Sequence, residues 1–114
     1  MTFKKFEDIL AWQKAKSLVI TIYKVFYSNK DFGFKDQIQR AAVSIMNNIA
    51  EGYERRTNSE FRQFLFISKG SCGEVRSMLH LAEELGYMDC KTKQQLATES
   101  EIISKMLSNL IKTL

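Results

Sequence analysis

Proline is absent from this sequence of 114 residues, and glycine occurs only five times. Because these two residues interrupt helices most often, their scarcity favours helices throughout the chain. One histidine and two cysteines are too few for a disulfide framework or a metal cluster. The length and the 45% of hydrophobic residues are typical of a soluble globular protein, with one domain covering residues 1–114.

Long apolar runs are also missing. Near the start, the longest stretch without a charge or an amide is residues 17–23, far shorter than a membrane span. Glu7, Asp8, Lys14 and Lys16 interrupt any signal-like apolar segment. We therefore expect a cytoplasmic protein with no membrane partner.

The charge is positive overall but unevenly distributed. The net charge is +4, and residues 1–40 alone carry eight basic against four acidic side chains. Residues 41–76 have a net charge of +1, and residues 77–114 of −1. A mildly basic chain can attract polyanions, although many cytosolic proteins with this balance bind none.

The hydrophobic periodicity predicts four amphipathic helices. The first should run from about residue 8, with Asp8 as N-cap, to 28, and the second from about 35 to 53 or 55. The third follows the capping box Thr57-Asn58-Ser59-Glu60 and ends before Gly86, which suits a left-handed position. The fourth follows Asp89 and continues to the C-terminus. Outside the third helix, the side chains expected to point inward are Trp12, Ala15, Val19, Ile22, Tyr23, Phe26, Ile38, Ala41, Ala42, Ile45, Ile49, Tyr53, Leu96, Ile103, Met106, Leu107, Leu110 and Leu114. Short connections between such helices require antiparallel neighbours, so the predicted fold is an all-α, up-down-up-down four-helix bundle.

The third helix carries three different rows of side chains. The first is a core row, the second a small-residue row that includes two glycines, and the third a basic row with a spacing of seven residues. Their members are Phe61, Phe64, Leu65, Cys72, Val75, Leu79 and Ala82 in the core row; Phe66, Gly70, Gly73, Ser77 and Leu81 in the small-residue row; and Arg62, Lys69 and Arg76 in the basic row.

Catalytic and metal-binding alternatives find little support. A di-iron bundle needs two Glu-x-x-His motifs, whereas His80 is the only histidine and lies off the core face. Cys72 has no base beside it on the helix. The polar side of the second helix could hold a ligand, but such a face is more often solvated or bonded to a neighbouring helix. We therefore expect no enzyme, cofactor or metal; the polar side consists of Arg40, Ser44, Asn47, Asn48 and Glu51.

The basic row and the arginines before it could follow a nucleic-acid backbone. Successive members are about 10 Å apart along a helix at a rise of 1.5 Å per residue. Alternatively, Glu60, Glu74 and Glu83 neutralise the row, and the face is simply solvated. The candidate phosphate contacts are Arg55, Arg56, Arg62, Lys69 and Arg76.

The small-residue row predicts self-assembly. Glycine within a helix costs about 1 kcal/mol relative to alanine, so Gly70 and Gly73 require a reason. Another helix could pack closely against them, with Phe66 and Leu81 supplying apolar area. The alternatives are that a helix of the same bundle fills this face or that the face is merely exposed.

The sequence resembles the family of four-helix-bundle proteins encoded in the intervening sequences of bacterial 23S rRNA genes. It differs from the usual pattern at Tyr27 and Met46, where family members generally have proline. The matching segments are Phe6, Trp12-Gln13, Ala15, Phe32-Gly33-Phe34, Gln37, residues 40–45, Asn48-Ile49-Ala50-Glu51-Gly52, Glu60-Phe61, Phe64-Leu65, Gly70-Ser71, Glu74 and Leu85-Gly86-Tyr87.

The resemblance implies a bacterial bundle protein whose biochemical function is poorly defined. The family association with rRNA concerns the location of its genes, so a ribosomal role does not follow. In architecture, family members are similar to the accessory protein of diversity-generating retroelements, a pentamer that binds nucleic acid and a reverse transcriptase. We therefore expect a non-catalytic homo-oligomer that binds nucleic acid, with structured RNA favoured and a pentamer implied by the resemblance. The alternative is a structural adaptor for a protein partner.

Overall fold

The computed structural model describes residues 3–114, and every regular element in this range is helical. A short 3-10 turn at Phe6–Asp8 precedes four α-helices within the described residues. They are α1 (Leu10–Val25), α2 (Phe32–Tyr53), α3 (Asn58–Glu84) and α4 (Cys90–Lys112). The predicted all-α class is confirmed.

Hydrogen bonds across the α2–α3 interface fix the relative direction of these helices. The Ser68 hydroxyl donates to the Ile45 carbonyl at 2.6 Å, and three residues later Ser71 donates to the Ser44 hydroxyl at 2.9 Å. Positions therefore rise along α3 as they fall along α2, so the two helices are antiparallel.

The other neighbouring pairs show the same reversal. Between α3 and α4, the Ser100 hydroxyl donates to the Cys72 carbonyl at 3.0 Å, whereas the Lys93 ammonium lies 3.6 Å from the Glu83 carboxylate. Between α1 and α2, Phe26 at the end of one helix packs against Phe34 at the start of the next. The four helices therefore pack as a bundle, and these contacts agree with the predicted up-down-up-down order.

The starts of α2, α3 and α4 follow local capping chemistry. The Thr57 hydroxyl accepts the Glu60 N–H at 3.1 Å, and Asp89 accepts the Thr92 N–H at 2.7 Å, so Thr57 and Asp89 are confirmed as N-caps. The reciprocal half of the predicted capping box differs, because the Glu60 carboxylate accepts the Thr57 hydroxyl at 3.1 Å rather than a backbone N–H. The predicted start of α2 at about residue 35 is wrong. The Asp31 carboxylate accepts the Phe34 N–H at 3.2 Å, which starts the helix three residues earlier.

The end of α3 is a complete Schellman motif. Gly86 has a φ of 77°. Its N–H donates to the Glu83 carbonyl at 3.0 Å, and the Tyr87 N–H donates to the Ala82 carbonyl at 2.8 Å. The predicted role of Gly86 is therefore confirmed, since its positive φ is strained for any residue with a Cβ.

The inner face of α1 differs from the prediction. Tyr23 is exposed, and Trp12 and Val19 are only half-buried, whereas the row Ala11, Ala15, Leu18 and Ile22 is buried. Small alanines let α1 approach the bundle centre, which leaves the large rings at its edges. The helix is also shorter than predicted: Asp8 belongs to the 3-10 turn, and the last residue is Val25.

At Gly52, α2 and α3 approach each other closely. A methyl group at this position would lie 2.6 Å from the Phe64 Cβ and 3.0 Å from the Phe61 Cδ1. This contact explains why Gly52 is buried in the last turn of α2. Phe64 closes over it and remains half-buried rather than entering the core.

At one end of the bundle, the α3–α4 connection is tied to the α1–α2 connection. The Tyr87 hydroxyl donates to the Asp31 carboxylate at 2.6 Å, and the Tyr87 and Phe34 rings pack edge to face at 5.3 Å between centroids. Near the opposite end, the Tyr53 hydroxyl donates to the Phe3 carbonyl at 2.7 Å. Within residues 3–114, no helix is long and apolar enough to cross a bilayer.

Candidate functional site

Six of the seven residues in the core row of α3 are buried as predicted, whereas Phe64 is only half-buried. Phe61, Leu65, Cys72, Val75, Leu79 and Ala82 are all buried. Two serines that the sequence analysis did not place in the core, Ser68 and Ser100, are fully buried at helix interfaces. Each donates to a backbone carbonyl of a neighbouring helix, so neither leaves an unsatisfied polar group.

The small-residue row lies on the outside of the bundle. Phe66 and Leu81 are 55% and 50% exposed. Beyond the backbone of α3 itself, a methyl group at Gly70 would meet no described atom within 4 Å, and one at Gly73 would meet only the Arg76 guanidinium at 3.9 Å. Within residues 3–114, no other helix of the bundle fills this face, so that alternative is wrong.

Two further apolar side chains widen this face. Ile67 is 53% exposed and Leu85 is 48% exposed. They are 18 residues apart, which is five helical turns, and so they share one edge of α3, next to Leu81. Their helical spacing could have placed Ile67 and Leu85 beside the small-residue row, but they were not among its predicted members.

The basic row is partly exposed and is not neutralised as the alternative reading required. Within the described chain, Arg62, Lys69 and Arg76 form no ion pair. Two of the three nearby acids have other partners. Glu60 lies 3.8 Å from the Arg55 guanidinium, and Glu83 pairs with a lysine of α4.

The two arginines at the α2–α3 corner differ in their contacts. The Arg55 guanidinium lies 4.8 Å from the Phe64 ring centroid in addition to its ion pair with Glu60. Arg56 is exposed, and both arginines line a shallow cavity of about 250 Å³. Together with Arg62 in the second turn of α3, they make this corner the most arginine-rich part of the molecule.

The polar side of α2 lines a shallow groove of about 480 Å³. Much of its hydrogen-bonding capacity is used within the chain. Arg40 donates to Asp36 at 2.8 Å, and the Asn48 amide donates to the carbonyl and hydroxyl oxygens of Ser44 at 2.8 and 2.9 Å. These bonds agree with the interpretation of a face that is solvated or bonded internally.

The environment of the buried cysteine does not favour nucleophilic chemistry. Burial raises the pKa of the Cys72 thiol to about 11, so the reactive thiolate is scarce at neutral pH. His80 is exposed on α3. In the described part of the chain, His, Cys, Asp and Glu side chains form no group of three or more that could hold a metal ion.

The α1–α2 corner carries a cluster of aromatic and basic side chains that was not predicted from the sequence. Tyr27 and Phe32 are 80% and 70% exposed, and the Lys35 ammonium lies 5.8 and 6.0 Å from their ring centroids. The alternation of aromatic residues and lysines from Tyr23 to Lys35 was a detectable signal. It was overlooked because Tyr23 was assigned to the core.

Comparisons with known proteins identify the family. A search of curated proteins gives no match. Among solved structures, the fold is similar to a crystal structure, at 1.70 Å resolution, of a protein with unknown function from the S23 ribosomal protein family of Bacteroides thetaiotaomicron VPI-5482. The TM-score is 0.85 with 25% sequence identity, and the alignment covers 90% of this chain and 96% of the other. The model of the family described as "23S rRNA-intervening sequence protein" matches residues 7–109. The chain therefore belongs to the family of 23S rRNA-intervening sequence proteins.

Proposed function

We propose that this protein is a non-catalytic homo-oligomer that binds structured RNA through phosphate contacts from α3 and the preceding corner. The observation that carries the proposal is the unpaired basic row: Arg62, Lys69 and Arg76 have no carboxylate within ion-pair distance in the described chain. Cations without internal partners are available to phosphates, and each phosphate that they neutralise releases counterions.

The arrangement supports recognition of the backbone rather than of base sequence. The row is straight, with members about 10 Å apart along the helix axis, and it continues towards Arg55 and Arg56. Such a row contacts phosphates irrespective of sequence. Three to five such contacts per subunit bind weakly, so repetition of the row in an oligomer would strengthen binding through multivalency.

Self-assembly is proposed to use the small-residue row. Phe66, Gly70, Gly73, Ser77 and Leu81 present a face on which another helix could pack closely, and the exposed Ile67 and Leu85 extend its apolar area. Closed cyclic symmetry would cover this face on every subunit. Five subunits is the number that the likeness to the retroelement accessory protein suggests.

Salt-dependent binding tests the phosphate contacts. We expect the affinity for an RNA hairpin, measured by fluorescence anisotropy, to fall steeply between 50 and 200 mM salt, as counterion release requires. The double variant Arg62→Glu and Arg76→Glu should lower the affinity and reduce the slope of log K against log salt by about two. The double variant Lys105→Glu and Lys112→Glu is the control, because it makes the same charge change at exposed positions of α4.

Equal effects of the two double variants would contradict the proposal, because net charge alone would then explain binding. Absence of binding at low salt by the wild-type protein would favour the other function, that of a structural adaptor for a protein partner. In that case the purified protein should also contain no nucleic acid, which the absorbance ratio at 260 and 280 nm would show.

Sedimentation of the Leu81→Glu variant tests the assembly. We expect wild-type protein to be oligomeric at tens of micromolar and the variant to be a folded helical monomer, since a charge at the centre of an apolar interface opposes packing. Leu81→Glu is preferable to Gly73→Glu, because a carboxylate at position 73 would lie beside the Arg76 guanidinium and disturb the basic row. A monomeric wild type would contradict the assembly.

A further inference from the structure

The α1–α2 corner displays aromatic rings that the fold does not require. Tyr27 and Phe32 are the most exposed large hydrophobic side chains in the described chain. Their neighbours Phe26 and Phe34 are the residues that close the corner, with ring centroids 5.7 Å apart and both side chains buried. The Tyr27 and Phe32 side chains therefore project into solvent, whereas Phe26 and Phe34 already complete the packing of the corner.

One lysine lies close to both exposed rings. The Lys35 ammonium lies 5.8 Å from the Tyr27 centroid and 6.0 Å from the Phe32 centroid, and it donates to the Tyr27 carbonyl at 2.8 Å. Lys24 and Lys30 are exposed in the same segment. The result is a mixed surface of rings and ammonium groups, which we call the aromatic–lysine surface and define as Tyr23, Lys24, Tyr27, Lys30, Phe32 and Lys35.

The carboxylates near this surface are already engaged. Asp31 accepts hydrogen bonds from the Tyr87 hydroxyl and from the N–H of Phe34. Asp36 pairs with Arg40 at 2.8 Å. Within residues 3–114, Lys24, Lys30 and Lys35 form no ion pair, so their charge is uncompensated. This local excess agrees with the sequence, because residues 1–40 account for the whole net charge of +4.

Exposed rings flanked by uncompensated cations suit single-stranded nucleic acid better than a protein partner. The centres of protein–protein interfaces are enriched in aromatic residues but depleted of lysine. Single-stranded nucleic acid offers bases that stack on rings and phosphates that attract ammonium groups. Paired bases cannot stack on side chains in this way, so the surface favours unpaired nucleotides.

Two shallow grooves give such a strand a path. Tyr23, Lys24, Tyr27 and Lys35 line a groove of about 520 Å³. Tyr23 also lines the groove along the polar side of α2, of about 480 Å³. We propose that the aromatic–lysine surface binds a single-stranded segment of nucleic acid, with bases stacked on Tyr27 and Phe32 and phosphates contacted by the three lysines. This site is separate from the basic row of α3, and its proposed ligand is unpaired rather than structured nucleic acid.

Replacement of the rings by leucine tests stacking. We expect Tyr27→Leu to weaken binding of an eight-nucleotide oligouridylate roughly 5- to 150-fold, the range for loss of one base–aromatic stack. Tyr27→Trp should retain the affinity, because an indole also stacks. Leucine keeps apolar area without a π-face, so an apolar protein interface would tolerate it. Circular dichroism should show unchanged helix content in each variant, because both rings lie outside the core.

An abasic oligonucleotide of the same length separates stacking from charge. It keeps the phosphates, so we expect it to bind at least fivefold more weakly than oligouridylate and to be insensitive to Tyr27→Leu. Equal affinity for the two probes would overturn the proposal, as would unchanged oligouridylate affinity in the double variant Tyr27→Leu and Phe32→Leu. The proposal would also be wrong if this double variant altered the oligomeric state in the absence of nucleic acid, since the surface would then be a protein interface.

The same variants separate this proposal from the function proposed for α3. If Arg62→Glu with Arg76→Glu leaves hairpin binding unchanged while Tyr27→Leu weakens oligouridylate binding, the α3 site is wrong and the aromatic–lysine surface stands. The opposite pattern rejects the aromatic–lysine surface and retains the α3 site.

Discussion

Glycines of α2 and α3 serve different purposes. At Gly52 a methyl group would lie 2.6 Å from the Phe64 Cβ, so the contact between α2 and α3 requires a residue without a side chain. At Gly70 a methyl group would meet no described atom within 4 Å outside the backbone of α3. The fold of the single chain therefore explains why position 52 is glycine, but it gives no reason for glycine at position 70.

This difference separates the inner and outer faces of α3. On the inner face, buried serines, a buried cysteine and the Gly52 contact leave little free space. On the outer face, Gly70 and Gly73 reduce helix propensity without a compensating contact in the described chain. A second molecule on the outer face would supply the missing reason, which is why we propose that α3 mediates assembly.

The largest effect should appear in thiol reactivity, which probes the inner face directly. Cys90 is exposed, whereas Cys72 is buried with a pKa of about 11. At pH 8 roughly one Cys72 thiol in a thousand would be ionised, even before burial restricts access. An ordinary thiol with a pKa of about 8.5 is roughly one-quarter ionised at this pH, so under native conditions we expect Ellman's reagent to label Cys90 quickly and Cys72 at least about a hundredfold more slowly. Rapid labelling of both thiols would contradict a closed inner face.

The next largest effect should come from Gly52→Ala. The nearest atom is the Phe64 Cβ, which cannot move without a shift of the α3 backbone. Overpacking of this kind costs about 1–3 kcal/mol and should outweigh the gain of up to about 1 kcal/mol in helix propensity. We expect the free energy of unfolding to fall by about 1–2 kcal/mol in urea denaturation followed by circular dichroism. An unchanged or higher stability would show that α2 and α3 are not in tight contact here.

The same substitution at Gly70 should have the opposite sign in the monomer. Because the position is open, alanine should raise the free energy of unfolding by about 0.5–1 kcal/mol at protein concentrations low enough for the chain to be monomeric. At high concentration, sedimentation should show weaker self-association, since the added methyl group keeps the partner helix away. Higher monomer stability with unaltered assembly would exclude Gly70 from the interface.

The smallest effect should come from Tyr87→Phe, which removes the hydroxyl that binds Asp31. This hydrogen bond, followed by the Phe34 N–H, lowers the pKa of Asp31, and the Asp31 carboxylate raises the pKa of Tyr87. The stabilisation is therefore lost as the pH falls through the lowered pKa of Asp31 or rises through the raised pKa of Tyr87. We expect the variant to melt at a lower temperature than wild type at pH 7, and the difference to shrink as the pH rises towards the raised pKa of Tyr87. If the difference in melting temperature is the same at every pH, the substitution acts through packing and not through the hydrogen bond to Asp31.

Local chemistry explains the features that could be predicted from the sequence. Thr57, Gly86 and Asp89 act through backbone groups within a few residues, so their roles were predictable and are confirmed. Trp12 and Tyr23 were misplaced because their burial depends on how closely α1 approaches the other helices, which its own periodicity does not fix. Similarly, the need for glycine at position 52 could not be predicted, because it depends on the packing of Phe64 against that position.

The candidate sites also have features that the sequence predicts and features that only the fold determines. Membership of the α3 rows follows from helical spacing, and the exposure of Phe66 and Leu81 agrees with it. Which acid pairs with which base depends on side-chain conformation and on α4, so the engagement of Glu60 and Glu83 elsewhere could not be predicted. The aromatic–lysine surface spans a helix–helix connection, where a helical wheel has no meaning.

The bond between Tyr87 and Asp31 also has a kinetic consequence. These residues are 56 positions apart, whereas the Ser68–Ile45 bond that joins α2 to α3 spans 23. Closing the longer loop costs more chain entropy, so the α2–α3 hairpin should form first on the folding pathway and the Tyr87 contact late. A contact absent from the transition state affects mainly the unfolding rate. Loss of the Tyr87 hydroxyl should therefore accelerate unfolding and leave the refolding rate nearly unchanged.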